Sequence, residues 1–169
     1  MKIAFSGAQC TGKSTLMQSL IQYFPNYTFK ANIVRDIAAK GIPINELGNE
    51  DTQMAIIQAH LDNLEIQNLV TDRCILDCVV YGEYLAENGK IRTNSIDSML
   101  LGKHINEYDY IFYLPPEIEI KDDGVRNTDK AFQASIHRIF MQYIAHLDNV
   151  VIVKGSLDER IQQVMDVIF

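Results

Sequence analysis

Near its start the chain runs Phe5-Ser6-Gly7-Ala8-Gln9-Cys10-Thr11-Gly12-Lys13-Ser14-Thr15-Leu16, and Gly7 to Ser14 fit the spacing G-x-x-x-x-G-K-S. No other stretch restricts the fold so tightly. Lys2-Ile3-Ala4-Phe5-Ser6 before it reads as a short buried strand, and a helix is expected from Gly12 or Lys13 to about Tyr23, stopped before Pro25. Between strand and helix, glycines let the backbone wrap so that successive N–H groups point inward at phosphate oxygens. The helix aims its positive end at the same anion. Lys13 adds a mobile cation for the β- and γ-phosphates, and Ser14 a hydroxyl for Mg²⁺. Gly7, Gln9, Cys10, Thr11, Gly12, Lys13, Ser14 and Thr15 are therefore the expected nucleotide contacts. The expected ligand is a nucleoside triphosphate.

The rest of the chain alternates strands and helices. Tyr27 to Val34 alternates weakly and is expected as a second strand. Asn49-Glu50-Asp51 caps a long helix in which Met54, Ile57, Leu61, Leu64 and Ile66 fall near helical spacing. Gln67 to Thr71 reads as a third strand, followed by helices over Leu76–Leu85 and Ile96–Ile105. Tyr108 to Leu114 is the clearest strand, closed by Pro115-Pro116. A polar loop, Lys121 to Arg126, precedes a helix over Phe132–Leu147. Asn149 to Val153 is a fifth strand, and a last helix follows Gly155-Ser156. This order predicts an α/β fold with a parallel sheet covered on both faces. Without repeats or linkers, residues 1–169 are expected as one domain.

A net charge of −7 argues against coating nucleic acid by bulk electrostatics. No apolar run approaches the roughly 20 residues that span a bilayer. Six residues before the first glycine are too few for a signal peptide, so a cytoplasmic location without membrane contact is expected. Three cysteines, Cys10, Cys74 and Cys78, pair poorly into disulfides. Cys74 and Cys78 share a helical face and are expected as small core residues rather than a metal pair. His60, His104, His137 and His146 are scattered and receive no role.

The second partner is harder to read. A GTP switch needs a base-reading N-K-x-D, and Asn127-Thr128-Asp129-Lys130 has the wrong order. A ring-forming motor usually needs more length and a second helical domain. The remaining features suit a small kinase. Asp72, at the end of the third strand, can reach Mg²⁺ or its water shell, or cap the next helix, or both. Arg73 is either a contact for the phosphoacceptor or a surface arginine. Asp122-Asp123-Gly124-Val125-Arg126 suits a lid spanning about residues 119–131, with Arg126 folding over the transferred phosphoryl group. An ordinary exposed turn would look the same.

The pieces "GAQCTGKST", "TDRCILDCVVYGEYL", "YDYIFYLPP", "DDGVR" and "VIVKGSLDERIQQV" resemble, in this order, the small P-loop kinases of the NadR-type nicotinamide riboside kinase group. More broadly they resemble nucleoside and nucleotide kinases. The resemblance touches nearly the whole chain. It implies a three-layer P-loop NTPase fold with a five-stranded parallel sheet, and ATP with Mg²⁺. It also implies Asp72 near the metal, Arg126 in the lid, and the turn at Lys154-Gly155-Ser156 near the adenine. Two departures stand out. Relatives often end strand two with a carboxylate and place an arginine three residues later, whereas this chain has Asn32-Ile33-Val34-Arg35-Asp36. Either Asp36 stands in as base, or Asp72 serves, or proton removal is not demanding. The D-R-S of many relatives is Asp72-Arg73-Cys74.

The expected function is ATP-dependent phosphoryl transfer to a nucleoside- or nucleotide-like small molecule. Lys13, Ser14, Asp72, Mg²⁺ and Arg126 would serve the transferred group, and Arg35, Asp36, Arg73 and Asp77 the acceptor. Two alternatives stand beside it: a kinase acting on a nucleic-acid end or modified DNA base, and an ATP-binding module that regulates a partner.

Overall fold

The apolar run that opens the chain forms β1 (Lys2–Ser6), and alternation along it sets the two faces of the fold. A computed structural model describes residues 1–31, 33–44, 47–92, 95–117 and 129–169. The other strands are β2 (Thr28–Lys30), β3 (Leu69–Asp72), β4 (Tyr110–Tyr113) and β5 (Val150–Ile152). They build one five-stranded sheet in the order β2-β3-β1-β4-β5, with every pairing parallel.

Buried parallel strands bury both faces, so successive residues feed two cores. Ile3 and Phe5 of β1 join Phe112 and Leu114 in one cluster; Ala4 joins Ile111 and Tyr113 in the other. On the first face lie α1 (Lys13–Leu20) and α7 (Leu157–Ile168), which supply Leu16, Met17, Leu20 and Val164. The second face is covered by α4 (Ile75–Glu87), α5 (Ser95–His104) and α6 (Lys130–Ile144). Of two further helices, α3 (Glu50–Leu64) packs beside α4, and α2 (Ile33–Ala39) packs on α3. Phe5 and Phe112 stack across neighbouring strands at 5.5 Å between ring centres.

The expected elements recur with shifted ends, and one differs in kind. The second strand stops at Lys30, and Ile33-Val34-Arg35-Asp36 opens α2 instead of extending the sheet. The β-branched pair Ile33-Val34 favours a strand locally. Burial of Ile37 on the helix's inner side outweighs that preference. Along α3 the buried face is Gln53, Ile57, His60 and Leu64, while Met54 is 54% exposed and Ile66 lies beyond the helix. The expected stripe holds at Ile57 and Leu64, which are buried, and at Leu61, which packs partly against the core; it missed Thr52, Gln53 and His60, because these inward residues are polar. Cys74 and Cys78 are both core residues, as expected. Among the described residues no helix is long and apolar enough to cross a membrane.

Candidate functional site

Register brings the C-terminal ends of β3, β1 and β4 level: Phe5 lies opposite Asp72 and Phe112, and Ser6 opposite Tyr113. The chain leaves β1 at Gly7, whose φ is +141°. A Cβ there would stand 2.5 Å from the Leu114 carbonyl oxygen, so only glycine fits between the strands. Cys10, at φ +58°, and Gly12, at φ +88°, complete the wrap, and Gly12 caps the N-terminus of α1. The loop is held from within and from outside. Thr11 Oγ1 donates to the Ala8 carbonyl at 3.1 Å. The Lys13 ammonium, 5% exposed, donates to the Ala8 carbonyl at 2.5 Å and contacts Thr11 Oγ1 at 3.2 Å.

Two long side chains brace the loop's outer side. Gln133 of α6 donates to the Gln9 carbonyl at 2.7 Å, and Arg160 of α7 to the Thr11 carbonyl at 2.7 Å. The second arm of Arg160 meets Glu117 at 3.2 Å, and Glu117 also accepts from the Gly155 N–H at 3.0 Å. Gly155 is thereby tied, through two side chains, to the loop it was expected to share a ligand with. Neither Gln133, Arg160 nor Glu117 was singled out in the sequence. The signal was available for Arg160: it stands four residues before buried Val164, on the inward face of an amphipathic helix.

Ser14 and Asp72 meet directly. The Ser14 hydroxyl donates to Asp72 Oδ2 at 2.7 Å, while Asp72 Oδ1 is buried with no hydrogen bond among the described residues. A hydroxyl beside a carboxylate with one unsatisfied oxygen, next to a phosphate-shaped loop, suits Mg²⁺ or its water shell. Asp72 does not cap the next helix. Cys74 is the N-cap of α4, and Asp77 closes the capping box.

Asp77 organises the strand-to-helix turn. Its Oδ2 accepts from the Ser6 hydroxyl at 2.7 Å and the Cys74 N–H at 3.1 Å, and its Oδ1 from Arg73 at 3.0 Å. Arg73, at φ +74°, turns the chain there, a strain of about 1–3 kcal/mol that these bonds offset. Its guanidinium lies over the Tyr81 ring at 4.8 Å and also reaches the Tyr81 hydroxyl at 3.3 Å. Burial opposes the charge on Arg73, but Tyr81, Asp77 and Asp72 more than restore it and raise its pKa. Tyr81 donates on to Gln9 Oε1 at 3.4 Å, which connects this cluster to the phosphate loop.

Beside the cluster opens a narrow cleft, about 30 Å³ of room for water-sized centres within about 430 Å³ of empty space that runs out into open solvent. Val34 of α2, Thr52, Gln53, Ile56 and His60 of α3, and Arg73, Asp77, Cys78 and Tyr81 line it. His60 is 1% exposed, and neither ring nitrogen has a hydrogen bond among the described residues. Burial, reinforced by Arg73, lowers its pKa to about 4. The histidine left without a role thus faces the cleft as a neutral ring. Of the expected acceptor residues, Arg73 and Asp77 line this cleft, whereas Arg35 and Asp36 are exposed on α2 rather than placed at a strand end. Thr15 is exposed on α1. Arg126 and most of the expected lid lie outside the described residues.

A sequence profile described as an AAA domain matches residues 2–160. No curated protein matches the chain. Among solved structures, it is similar to thymidylate kinase from Candida albicans, with TM-score 0.69 and 15% identity over 98% of this chain and 89% of that one. It is similar to a NadR protein in complex with NR, with TM-score 0.69 and 24% identity over 97% of this chain, which spans about half (49%) of that protein. Deoxyadenosine kinase from M. mycoides is a third, with TM-score 0.66 and 14% identity over 98% and 97% of the two chains. At such identities the likeness establishes the fold, an α/β P-loop NTPase.

Proposed function

The chain belongs to the AAA-domain family, and from that premise we propose that it is an ATP-dependent kinase transferring the γ-phosphoryl group to a nucleoside- or nucleotide-like acceptor in the cleft. One observation carries the reading: the Ser14–Asp72 pair stands between the phosphate loop and a separate cleft joined to it by Arg73, Tyr81 and Gln9. A module that only held nucleotide would have no use for the second compartment. Kinase folds for nucleosides and nucleotides among the similar structures support phosphoryl transfer in general.

In this reading the loop amides and Lys13 hold the β- and γ-phosphates. Lys13 exchanges its bonds to Ala8 and Thr11 for charge-assisted ones to phosphate. Ser14 and Asp72 would hold Mg²⁺, which draws charge off the phosphates when bound. Arg73, oriented by Asp77 and Tyr81, faces the acceptor, and Arg126 on a lid over residues 119–131 neutralises the transferred group. Gly155 lies on the adenine side. Phosphoryl transfer through a loose transition state depends mostly on alignment and charge neutralisation. A dedicated base is then unnecessary, and exposed Asp36 has none of that work to do.

The test is label transfer from γ-labelled ATP with Mg²⁺ to nicotinamide riboside, nucleosides, deoxynucleoside monophosphates, and DNA with free ends or hydroxymethylated bases. We expect label on a small molecule and its loss in Lys13→Ala. Label on DNA alone would reassign the acceptor to nucleic acid. Tight ATP binding with no acceptor labelled would favour a regulatory module.

A further inference from the structure

Gln53 and His60 stand seven residues apart on the inward face of α3, two turns of one helix. Both are buried, at 6% and 1% exposure, and both line the cleft. Gln53 Oε1 and both His60 ring nitrogens find no hydrogen bond among the described residues. A buried polar atom left unpaired costs free energy that the fold alone does not recover. Three such atoms along one wall of one cleft point to an occupant that pairs them. Val34 and Ile56 add apolar surface to the same cleft, and Tyr81 adds an aromatic one.

The charge in the cleft narrows the occupant further. Among the described lining residues the cation is Arg73, and Asp77 already pairs it at 3.0 Å. Asp72 lies within electrostatic reach of both His60 and Arg73. Burial and Arg73 keep His60 neutral at ordinary pH, so it offers one N–H donor and one lone pair rather than a charge. A phosphomonoester, at about −1.5 to −2 charge near neutrality, would meet one guanidinium that is already committed and two carboxylates nearby. An uncharged heterocycle with donors and acceptors on its edge meets what the wall lacks.

We infer that the cleft takes an uncharged nucleoside, its polar edge read by Gln53 and His60, and that the phosphoryl group goes to an alcohol oxygen rather than to a phosphate. This rests on the kinase reading above and decides between its two acceptor classes. In the step, the alcohol oxygen forms a bond to the γ-phosphorus. The bond from that phosphorus to the bridging oxygen breaks, ADP leaves with the electron pair, and the alcohol proton passes to solvent.

Calorimetric titration of the whole chain with Mg²⁺ and AMP-PNP tests it, using nucleosides and their 5′-monophosphates as probes. At least one nucleoside should bind at least tenfold more tightly than its own monophosphate. His60→Leu should weaken that nucleoside at least tenfold while the melting temperature holds or rises, because an unpaired polar ring is replaced by an apolar side chain. A residue with only a packing role would not lose affinity while keeping stability. Gln53→Met is the second variant and should behave alike. Tighter binding of monophosphates, nucleoside affinity unchanged in both variants, or binding of neither class would each overturn the inference. Failure of the kinase reading is separable. Nucleosides bound in this pattern without label transfer leave the cleft assignment standing and remove the kinase. Label transferred to monophosphates does the reverse.

Discussion

The phosphate loop and the cleft beside it are built on opposite principles. Around the loop the backbone carbonyls are held by side chains: Gln133 and Arg160 hold them from outside, and Lys13 and Thr11 from within. In the cleft, Gln53 Oε1 and both His60 ring nitrogens are buried with no hydrogen bond among the described residues. On the proposed function the loop takes the phosphates of ATP, and its backbone is braced by the protein in advance. On the inference above, the cleft takes a nucleoside, and its hydrogen bonds are left for that partner to complete.

Four substitutions break or sharpen this contrast. The largest effect is expected from Gly7→Ala, which drives a methyl against the Leu114 carbonyl at a positive φ. It should destabilise the fold by about 3 kcal/mol or more and abolish ATP binding, read by thermal melting and calorimetry. Next, Arg160→Met strips the Thr11 carbonyl of its outside partner. About 2 kcal/mol of stability and about tenfold in ATP affinity should go, and nucleoside affinity should hold. Equal losses at both ligands would erase the distinction between the regions.

His60 supplies the third, through pH. Its folded pKa, about 4, lies below the ordinary 6.5, because burial and Arg73 disfavour the charged ring. The unfolded chain therefore takes up a proton that the folded chain refuses, and stability falls as pH drops from about 6.5 toward 4. Between pH 7.5 and 5 the wild type should lose about 2 kcal/mol more than His60→Leu, by denaturant titration. Parallel curves would mean the ring is not buried in neutral form. The smallest effect is a control. Arg138 and Glu87 pair at 2.7 Å but are 50% and 42% exposed, so Arg138→Gln should change stability by less than about 0.5 kcal/mol and neither ligand affinity.

The loop was legible because its geometry is local: eight consecutive residues dictate where the backbone must turn, and the flanking strand and helix follow from short-range pattern. The sheet was legible for the same reason, strand by strand. The cleft was not. Its walls come from α2, α3 and α4, brought together only by packing. The strongest local preference in α2, Ile33-Val34, pointed to a strand, and the inward face of α3 is marked by a glutamine and a histidine rather than by Met54. Asp72 was correctly placed at a strand end, but its choice between capping and facing Ser14 depended on Cys74 and Asp77 taking the cap.

Arg160 joins the last helix to the phosphate loop, so opening of α7 and occupancy of the loop share one free energy. On the proposed function, phosphate at the loop stabilises α7 against opening, and by reciprocity whatever loosens α7 weakens the binding of phosphate. The amide protons of residues 160–168 thereby become a reporter of events at the loop that Arg160 braces. On the proposed function, their exchange with solvent slows when the loop is occupied, with no label on the nucleotide.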